Sequence, residues 1–374
     1  MNAMPTDTTG GDAHRHRTHC EVDAGALSAA VSAIFARLGV ADADAVRVAD
    51  ALVDADLEGI PSHGVMLVPM YVQRLRSGSV TPAAHAAVVS DRGGCVVLDA
   101  ANMLGQLSAF QAVALARDRA RAHGIGAVAV RNAFHFGAAG LYARALARDG
   151  CVGIVMSNTR PLMPAPGGAQ SVVGNNPLAI ALPGADPIPI ELDMAMSASA
   201  MGKIRLAATR GLELPPGWAT DAQGNPTTDA VAALSGMLLP AAGAKGFGLA
   251  FMVDLLCGGL SGGGTGAAVR PLYGDSAIPY NCAHFFLALD VAHFRDPAAF
   301  ARNASAAAAA VRGSDHAPGV ERVYSPGELG WATRCRQGSR CSIERVVLAE
   351  IVSVARALAA PVPSSIANHT DSQP

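Results

Sequence analysis

Residues 126–156 read GAVAVRNAFHFGAAGLYARALARDGCVGIVM, and the order of elements in them decides the fold. Residues 126–131 (GAVAVR) and 151–156 (CVGIVM) are short valine-rich apolar runs, the composition of buried strands. Residues 137–148 between them read as a helix. A strand, a helix and a second strand within about 35 residues make one β-α-β unit. Upstream, 107–123 predicts a helix closed by Gly124, and CVVLD at 95–99 a strand. Downstream, 179–182 and 188–192 predict short strands, and 211–236, rich in Pro, Gly, Asp and Thr, an excursion of loops. Residues 246–259 predict a buried helix, LSGGGTG at 260–266 a flexible turn, AHFFLALD at 283–290 a strand, and 300–312 an Ala-rich helix. Residues 324–330 read as a loop and 343–358 as a helix.

The N-terminal part is helical. Leu27, Val31, Ile34, Phe35 and Leu38 share one face of 24–38, which stops at Gly39. Val46, Ala49, Leu52, Val53 and Leu57 line one side of 42–58, and Gly59-Ile60-Pro61 breaks it. A third helix runs over 65–75 and stops at Ser77-Gly78. The class is α/β (α+β) with a helical N-terminal layer.

Composition excludes several functions. A chain of 374 residues with 51% hydrophobic and 16% charged side chains supports a large core and two or three domains. A net charge of -2 with no basic, aromatic-rich stripe excludes a nucleic-acid footprint. The longest apolar stretch, 249–260, is interrupted by Asp254 and falls short of the ~20 residues that span a bilayer. The first twenty residues lack the apolar segment of a signal peptide. Seven cysteines, an odd number with no CxxC pair, read as reduced thiols in the cytoplasm. His14, His16, His19 and Cys20 read as part of a polar tail, and no metal site is expected.

Familiar motifs fail in context. Gly124-Ile125-Gly126 with Ala129 resembles a dinucleotide fingerprint, but it precedes a strand, so its glycines do not open a helix toward pyrophosphate. Gly262, Gly264 and Ala267 have no strand before them. Gly259-Leu260-Ser261-Gly262-Gly263 matches GxSxG but follows a helix and enters a glycine run, the reverse of a nucleophile elbow. Gly202-Lys203 lacks the upstream glycine of a phosphate loop.

Three constellations carry chemistry. In Pro61-Ser62-His63-Gly64, a proline break puts an imidazole at a helix start, and imidazole is matched to proton transfer near neutrality. Taken alone, the string is equally a helix cap with a packed histidine. Asn132–Gly140 closes a strand and opens a helix, with small residues that let a ligand approach the backbone and a terminus that attracts phosphate. A glycine-rich turn with a packed His135 is the alternative. Gly174-Asn175-Asn176-Pro177-Leu178 and Leu192-Asp193-Met194-Ala195 place amides and a carboxylate at strand ends, where Asp193 either fixes an imidazole or caps a helix.

Together these strings resemble the type-2 malate/L-lactate dehydrogenase family, which includes ureidoglycolate and sulfolactate dehydrogenases, diketogulonate reductases and piperideine/pyrroline-2-carboxylate reductases. The matching stretches are PSHGV (61–65), HFGAAG (135–140), GNNPLAIALP (174–183), DMAMSASAMGKI (193–204), GWATDAQGNPTTD (217–229), LLPAAGAKGFGLAFMVDLL (238–256) and SPGE (325–328), in the family's order.

The resemblance implies a non-Rossmann central mixed sheet flanked by helices with an N-terminal helical domain. The expected division is a disordered tail at 1–19, a helical domain at 20–82, an NAD(P)-binding sheet domain at 83–312, a segment at 313–360 packing back on the helical domain, and a disordered tail at 361–374. It implies hydride transfer between NAD or NADP and C2 of a 2-hydroxy or 2-oxo acid, or reduction of a cyclic 2-imino acid, by a homodimer with active sites near the subunit interface. His63 is then the proton donor or acceptor, Ser62 and Asp193 its relay, and His135 a neighbour of the nicotinamide with an alternative acid/base role. Cofactor contacts carried over are His135, Phe136, Gly137, Ala138, Ala139, Thr159, Asn175, Asn176, Pro177, Asp193, Met194, Ala195, Lys245, Pro326, Gly327 and Glu328. Tyr71 faces substrate. Leu67 stands where many members carry an arginine, so that either Arg74, Arg160 or Lys203 holds the substrate's carboxylate instead or the substrate differs. GNNP stands where many members have GTNP, a change that keeps the polar capacity. Chain neighbours such as Ser62 and His63 are expected to point different ways, which argues against a Ser-His-Asp hydrolase. A catalytically silent cofactor-binding homologue is the remaining alternative.

Overall fold

The computed structural model describes residues 18–371. Among them two compact units form, one of residues 18–77 with 330–371, the other Gly78–Leu329. Of the expected tail at 1–19, residues 1–17, with His14 and His16, lie outside the described residues, whereas His19 and Cys20 belong to a strand in which Cys20 is buried.

The first unit begins with β1 (His19–Asp23), α1 (Ala24–Ala36) and α2 (Asp42–Leu57). Single 3-10 turns follow at Pro61–His63 and Val65–Leu67, then α3 (Val68–Arg76). Asp23 starts α1 by accepting from the Ala26 N–H at 2.8 Å, an N-cap that satisfies a backbone donor the helix leaves free. Leu27, Val31, Ile34 and Phe35 are fully buried, so the apolar spacing read in the sequence is the packed face.

The second unit opens with β2 (Ala87–Arg92), β3 (Cys95–Asp99), α4 (Gly105–His123), β4 (Ile125–Ala133), α5 (Ala139–Arg148) and β5 (Cys151–Ser157). It continues with β6 (Met163–Pro164), β7 (Ser171–Val173), β8 (Leu178–Leu182), β9 (Ile190–Met194), α6 (Met201–Arg210), β10 (Ala219–Thr220), β11 (Pro226–Thr227) and α7 (Ala230–Ala233). Then come α8 (Ala244–Asp254), a π-helical turn at Leu255–Gly259, β12 (Cys282–Asp290) and α9 (Pro297–Arg312). The chain then passes through α10 (Glu328–Gln337) to β13 (Arg340–Glu344), α11 (Arg345–Ala357) and α12 (Ser364–Asp371).

A seven-stranded sheet of order β2-β3-β4-β12-β5-β8-β9 organises the second unit. Only β3 and β4 pair in parallel; the other neighbours are antiparallel. The predicted β-α-β unit is therefore split. β4 and β5 run the same way, but β12, from far along the chain, lies between them and pairs with both. No local pattern announces that insertion. Gly126 shows why the fingerprint look-alike is a packing device: a Cβ there would lie 1.9 Å from the Ala116 carbonyl oxygen, so α4 presses directly on β4. Gly124 closes α4 at φ 83, a left-handed conformation that glycine adopts without strain. Ser261 of the GxSxG string is buried and donates to the Cys257 carbonyl at 2.6 Å.

Several expectations need correction. Residues 20–80 are not purely helical, because β1 pairs antiparallel with β13, more than three hundred residues later. β2 and α6 arise where no element is expected; β2 is an edge strand whose side chains are mostly exposed, so no alternation marks it. The excursion at 211–236 contains β10, β11 and α7. Glu328 starts a helix inside the expected 324–330 loop. The expected tail at 361–374 carries α12, anchored by the fully buried Ile366. Finally, α8 and its π turn are not wholly buried: Leu249, Phe251, Met252, Leu255 and Leu256 are exposed. An unbroken apolar run carries no amphipathic signal, so it cannot tell a core helix from one that presents an apolar face outward.

Candidate active site

Within the second unit, the start of α5 gathers separated strings. Asn132, next to last in β4, sits at φ 47, in the left-handed region that asparagine tolerates better than most side chains. Its amide donates to both Asp99 oxygens at 2.9 and 3.0 Å, and Asp99 also accepts from Arg131. Burial works to raise the Asp99 pKa, but these donors hold it below the ordinary carboxylate value. Gly105 lets α4 touch the next turn, since a Cβ would lie 2.2 and 2.4 Å from the Phe134 and His135 carbonyl oxygens. Phe136 is buried, stacked 4.2 Å from His284 and 5.1 Å from Tyr142, whose hydroxyl donates to the Phe136 carbonyl at 2.5 Å. His135 and Ala138 are half-buried, and Gly137 turns the chain at φ 86.

Asp193, at the end of β9, accepts from the Gly140 N–H at 2.8 Å. Desolvation raises its pKa against the pull of that N–H and of Arg144. Glu191, two residues earlier, holds Arg144 at 2.7 and 3.0 Å, both groups nearly out of solvent. The SPGE turn docks on the same strand: the Glu191 N–H donates to the Pro326 carbonyl at 3.2 Å. Gly327 sits at φ 88, with no room for a Cβ beside Pro189 and Glu191. Glu328 is fully buried. Burial works to raise its pKa, but the Ser325 N–H at 3.0 Å, Arg322 and the Ser325 hydroxyl bring it below the ordinary value. At the start of α5, the Gly140 N–H is thus already taken by an Asp193 oxygen.

The amide string adjoins this cluster. Asn176 is fully buried; its Oδ1 accepts from the Thr159 N–H at 2.9 Å, and its amide donates to the Ala250 carbonyl of α8 at 2.8 Å. The Thr159 hydroxyl donates to Asn175 Oδ1 at 2.9 Å. The Asn175 carbonyl accepts from Met196 at 2.7 Å, tying GNNP to the DMAM string. Thr159, Asn175, Pro177, Met194 and Ala195 are all half-buried, while Lys245 in the first turn of α8 is exposed. Arg160 lines an open cleft of about 700 Å³ with Leu162, Met201, Arg205, Val231 and Leu234.

Sequence reasoning missed two groups here. Asn158, fully buried, donates to Asp254 at 2.7 Å and to the Gly264 carbonyl at 2.8 Å, and accepts from the Ala283 N–H at 2.7 Å. This locks β5 to the glycine loop. His284 is fully buried beneath Phe136, and burial pushes its imidazole down to about 3, so it serves as a neutral aromatic platform.

In the first unit, His63 stands at the end of the Pro61–His63 turn, half-buried, and burial lowers its pKa. Ser62 Oγ lies 3.0 Å from His63 Nδ1. The two chain neighbours therefore do not point apart, because the tight 3-10 turn brings both side chains to one side. Leu67 is packed at 1% exposure, Arg74 is equally buried, and Tyr71 is fully buried with its ring centroid 6.4 Å from Phe35. Lys203 is exposed on α6 of the second unit.

Asp56 is the group sequence reasoning missed in this unit. It lies on the buried stripe of α2, four residues after Leu52, and that spacing was the available signal. Burial raises its carboxyl to about 7, and only the Val65 N–H, at 2.8 Å, pulls it down. Folding therefore takes up a proton on this carboxyl between the two pKa values, while the oxygen that accepts from Val65 does so in either protonation state. The carboxyl's contribution to stability is full below the ordinary carboxylate pKa and is lost as pH rises from about 4 to about 7, on the order of 4 kcal/mol. Urea unfolding of Asp56→Asn between pH 4 and 8 is expected to lose this slope, and an unchanged slope would assign it elsewhere.

Comparison with known proteins gives a consistent result. The sequence profile described as malate/L-lactate dehydrogenase matches residues 22–351. The chain is 37% identical over 332 residues to the malate dehydrogenase of Pyrococcus horikoshii, covering 86% of this chain and 91% of that one. It is 39% identical over 271 residues to the (2R)-3-sulfolactate dehydrogenase (NADP(+)) of Chromohalobacter salexigens, covering 71% and 80%. The sulfolactate dehydrogenase structure from Methanocaldococcus jannaschii superposes with a TM-score of 0.87 at 31% identity, covering 92% of this chain and 98% of that one.

Proposed function

We propose that this chain, which belongs to the malate/L-lactate dehydrogenase family, moves a hydride between NAD(P)H and C2 of a small 2-oxo or 2-hydroxy acid, with His63 carrying the proton. The observation that carries the reading is the gathering of HFGAAG, DMA and SPGE around α5 and β9, through the Asp193–Gly140 and Glu191–Pro326 hydrogen bonds.

The residues fit a dinucleotide. His135, Ala138, Thr159, Asn175, Met194 and Ala195 are half-buried, placed to touch a ligand without being free to move far. Asp193, Thr159 and Asn175 offer acceptors that suit ribose hydroxyls and a carboxamide. Phosphate beside Asp193 would meet like charge, so the α5 turn takes the nicotinamide riboside end, and the exposed Lys245 is the cation assigned to phosphate. The cofactor, when bound, supplies or accepts the hydride.

In reduction, negative charge develops on the oxygen at C2, and the His63 imidazolium donates its proton there. In oxidation, the neutral imidazole takes the hydroxyl proton. Ser62, at Nδ1, holds the ring so that Nε2 exchanges the proton. Asp193 keeps one oxygen on Gly140 and has the other for the relay role that the family resemblance implies. Arg160, beside Arg205 in the cleft, is the candidate for the substrate's carboxylate in place of the buried Leu67 and Arg74. The test is loss of nicotinamide absorbance with NADH and NADPH against 2-oxo acids bearing a methyl, carboxylate or sulfonate group at C3, and a cyclic 2-imino acid. Turnover of only the imine would replace the 2-oxo acid reading, and cofactor binding without any turnover would favour a silent homologue.

The proposal includes a cytoplasmic homodimer. All seven cysteines are free thiols, as in a reducing compartment. The exposed Leu249, Met252 and Leu256 form the apolar surface assigned to the second copy. Met252→Glu is expected to shift sedimentation from dimer toward monomer, and an unchanged dimer would remove α8 from the interface.

A further inference from the structure

We infer that Asp56 is the positioning residue for His63: its carboxylate reaches from α2 across Gly64 to the Val65 N–H and fixes the two turns between which the imidazole stands. This rests on the proposed proton-transfer role of His63.

Neither 3-10 turn is capped by a side chain of the residue that precedes it, Ile60 for the first and Gly64 for the second. The Val65 N–H opens the second turn and would lack an acceptor in a buried setting, which is costly. Asp56 Oδ2 meets it at 2.8 Å, from nine residues earlier. The carboxylate thus acts as a cap delivered by another helix.

Gly64 makes the arrangement an interlock. Its backbone is extended at φ -94 and ψ -156, so a left-handed conformation is not why glycine is needed. Space is the reason. A Cβ there would lie 2.2 Å from Asp56 Oδ1 and 2.4 Å from Cγ and Oδ2. The carboxyl group occupies the volume a side chain would fill, directly after His63. The backbone on either side is pinned as well: His63 N–H donates to Ile60 at 3.0 Å, Gly64 N–H to Pro61 at 2.9 Å, and Leu67 N–H to Gly64 at 3.1 Å. The His63 ring therefore depends on a frame that Asp56 closes.

The neighbouring acids of α2 do something different. Asp54 and Glu58 pair with Arg334, whereas among the described residues no cation pairs with Asp56. Its surroundings raise the Cys341 thiol to about 12, by burial first and then by the Asp56 and Glu21 charges. A carboxylate buried at 5% exposure against one backbone N–H is an expensive way to stabilise a fold. It is a direct way to hold a turn in one geometry.

The experiment compares Asp56→Ala, Asp56→Asn, Gly64→Ala and the Asp56→Ala/Gly64→Ala double variant in the full-length enzyme. The readouts are kcat, Kd for NADPH, the pH profile of kcat/KM, folded fraction, and the His63 imidazole resonances by NMR. Asp56→Ala is expected to lower kcat ~10–100-fold, as a misplaced catalytic group does, with NADPH affinity unchanged and the His63 titration shifted. Asn, which keeps an acceptor for Val65, recovers most of that loss. Gly64→Ala alone is damaging, but it adds little in the Asp56→Ala background, because the clash partner has gone. The inference is overturned if Asp56→Ala leaves both the His63 resonances and kcat unchanged, if activity falls only with folded fraction, or if the two substitutions act additively. Should His63→Ala keep its activity, the proton-transfer reading fails, and the imidazole resonances with the double-variant cycle still decide whether Asp56 sets the His63 geometry.

Discussion

His63→Ala is expected to lower kcat for reduction of a 2-oxo acid by ~10²–10⁴-fold, while the Kd for NAD(P)H changes little. The reason is a division of labour. His63 belongs to the first unit, whereas the residues proposed to hold the cofactor belong to the second. Removing the imidazole takes away the proton donor and leaves the Asp193–Gly140 and Thr159–Asn175 contacts as they are. The pH profile provides an independent check. Burial lowers the His63 pKa, so the imidazolium population falls at a lower pH than for a free imidazole. Reduction should therefore lose kcat/KM as pH rises through a value below about 6.5, and oxidation should gain over the same range. Both trends should vanish in His63→Ala. A variant that keeps most of its rate would move the acid/base role to His135, at the α5 turn.

Gly140→Ala should abolish tight cofactor binding and destabilise the second unit. The added Cβ would lie 1.8 Å from Glu191 Oε1 and 3.0 Å from Asp193 Oδ2. Glu191 is 6% exposed and is held by Arg144, so it cannot retreat into water without breaking that pair. Breaking a buried ion pair costs roughly 3–5 kcal/mol. The same methyl group pushes Asp193 from the Gly140 N–H, so β9 and the docked SPGE turn lose their register with α5. Urea unfolding and fluorescence titration with NADPH measure the two effects separately. A variant with wild-type stability and affinity would show that α5 and β9 are not locked through this glycine.

Much of the second unit was legible because its signals are local. The valine-rich runs before and after HFGAAG became β4 and β5, and the helices ending at Gly124 and Arg148 fell within a few residues of expectation. Failed motifs were legible too, since a dinucleotide fingerprint or nucleophile elbow needs specific neighbours, and the order of elements denied them. The site was legible as strings but not as an arrangement. HFGAAG, DMA and SPGE each allow a bland reading; the hydrogen bonds of β9 bring them together. Asp56 escaped notice because its partner, the Val65 N–H, is a backbone group, which no residue type advertises, and Asn158 because its partners, Asp254, Gly264 and Ala283, lie far along the chain.

Periodicity and composition alone determined the helices of residues 24–76 and the α/β class, because these follow from side chains a few residues apart, and among the described residues no helix is long and apolar enough to cross a membrane. Tertiary structure alone decided that β12 separates β4 from β5, that β1 pairs with β13, and that the apolar α8 turns a face outward. It also decided that a carboxylate caps α5 and that Ser62 meets the His63 ring. Strand pairing and buried hydrogen bonds join groups as much as three hundred and more residues apart, and the free energy that selects them is that of satisfying polar backbone in a closed core, which no short window of sequence contains.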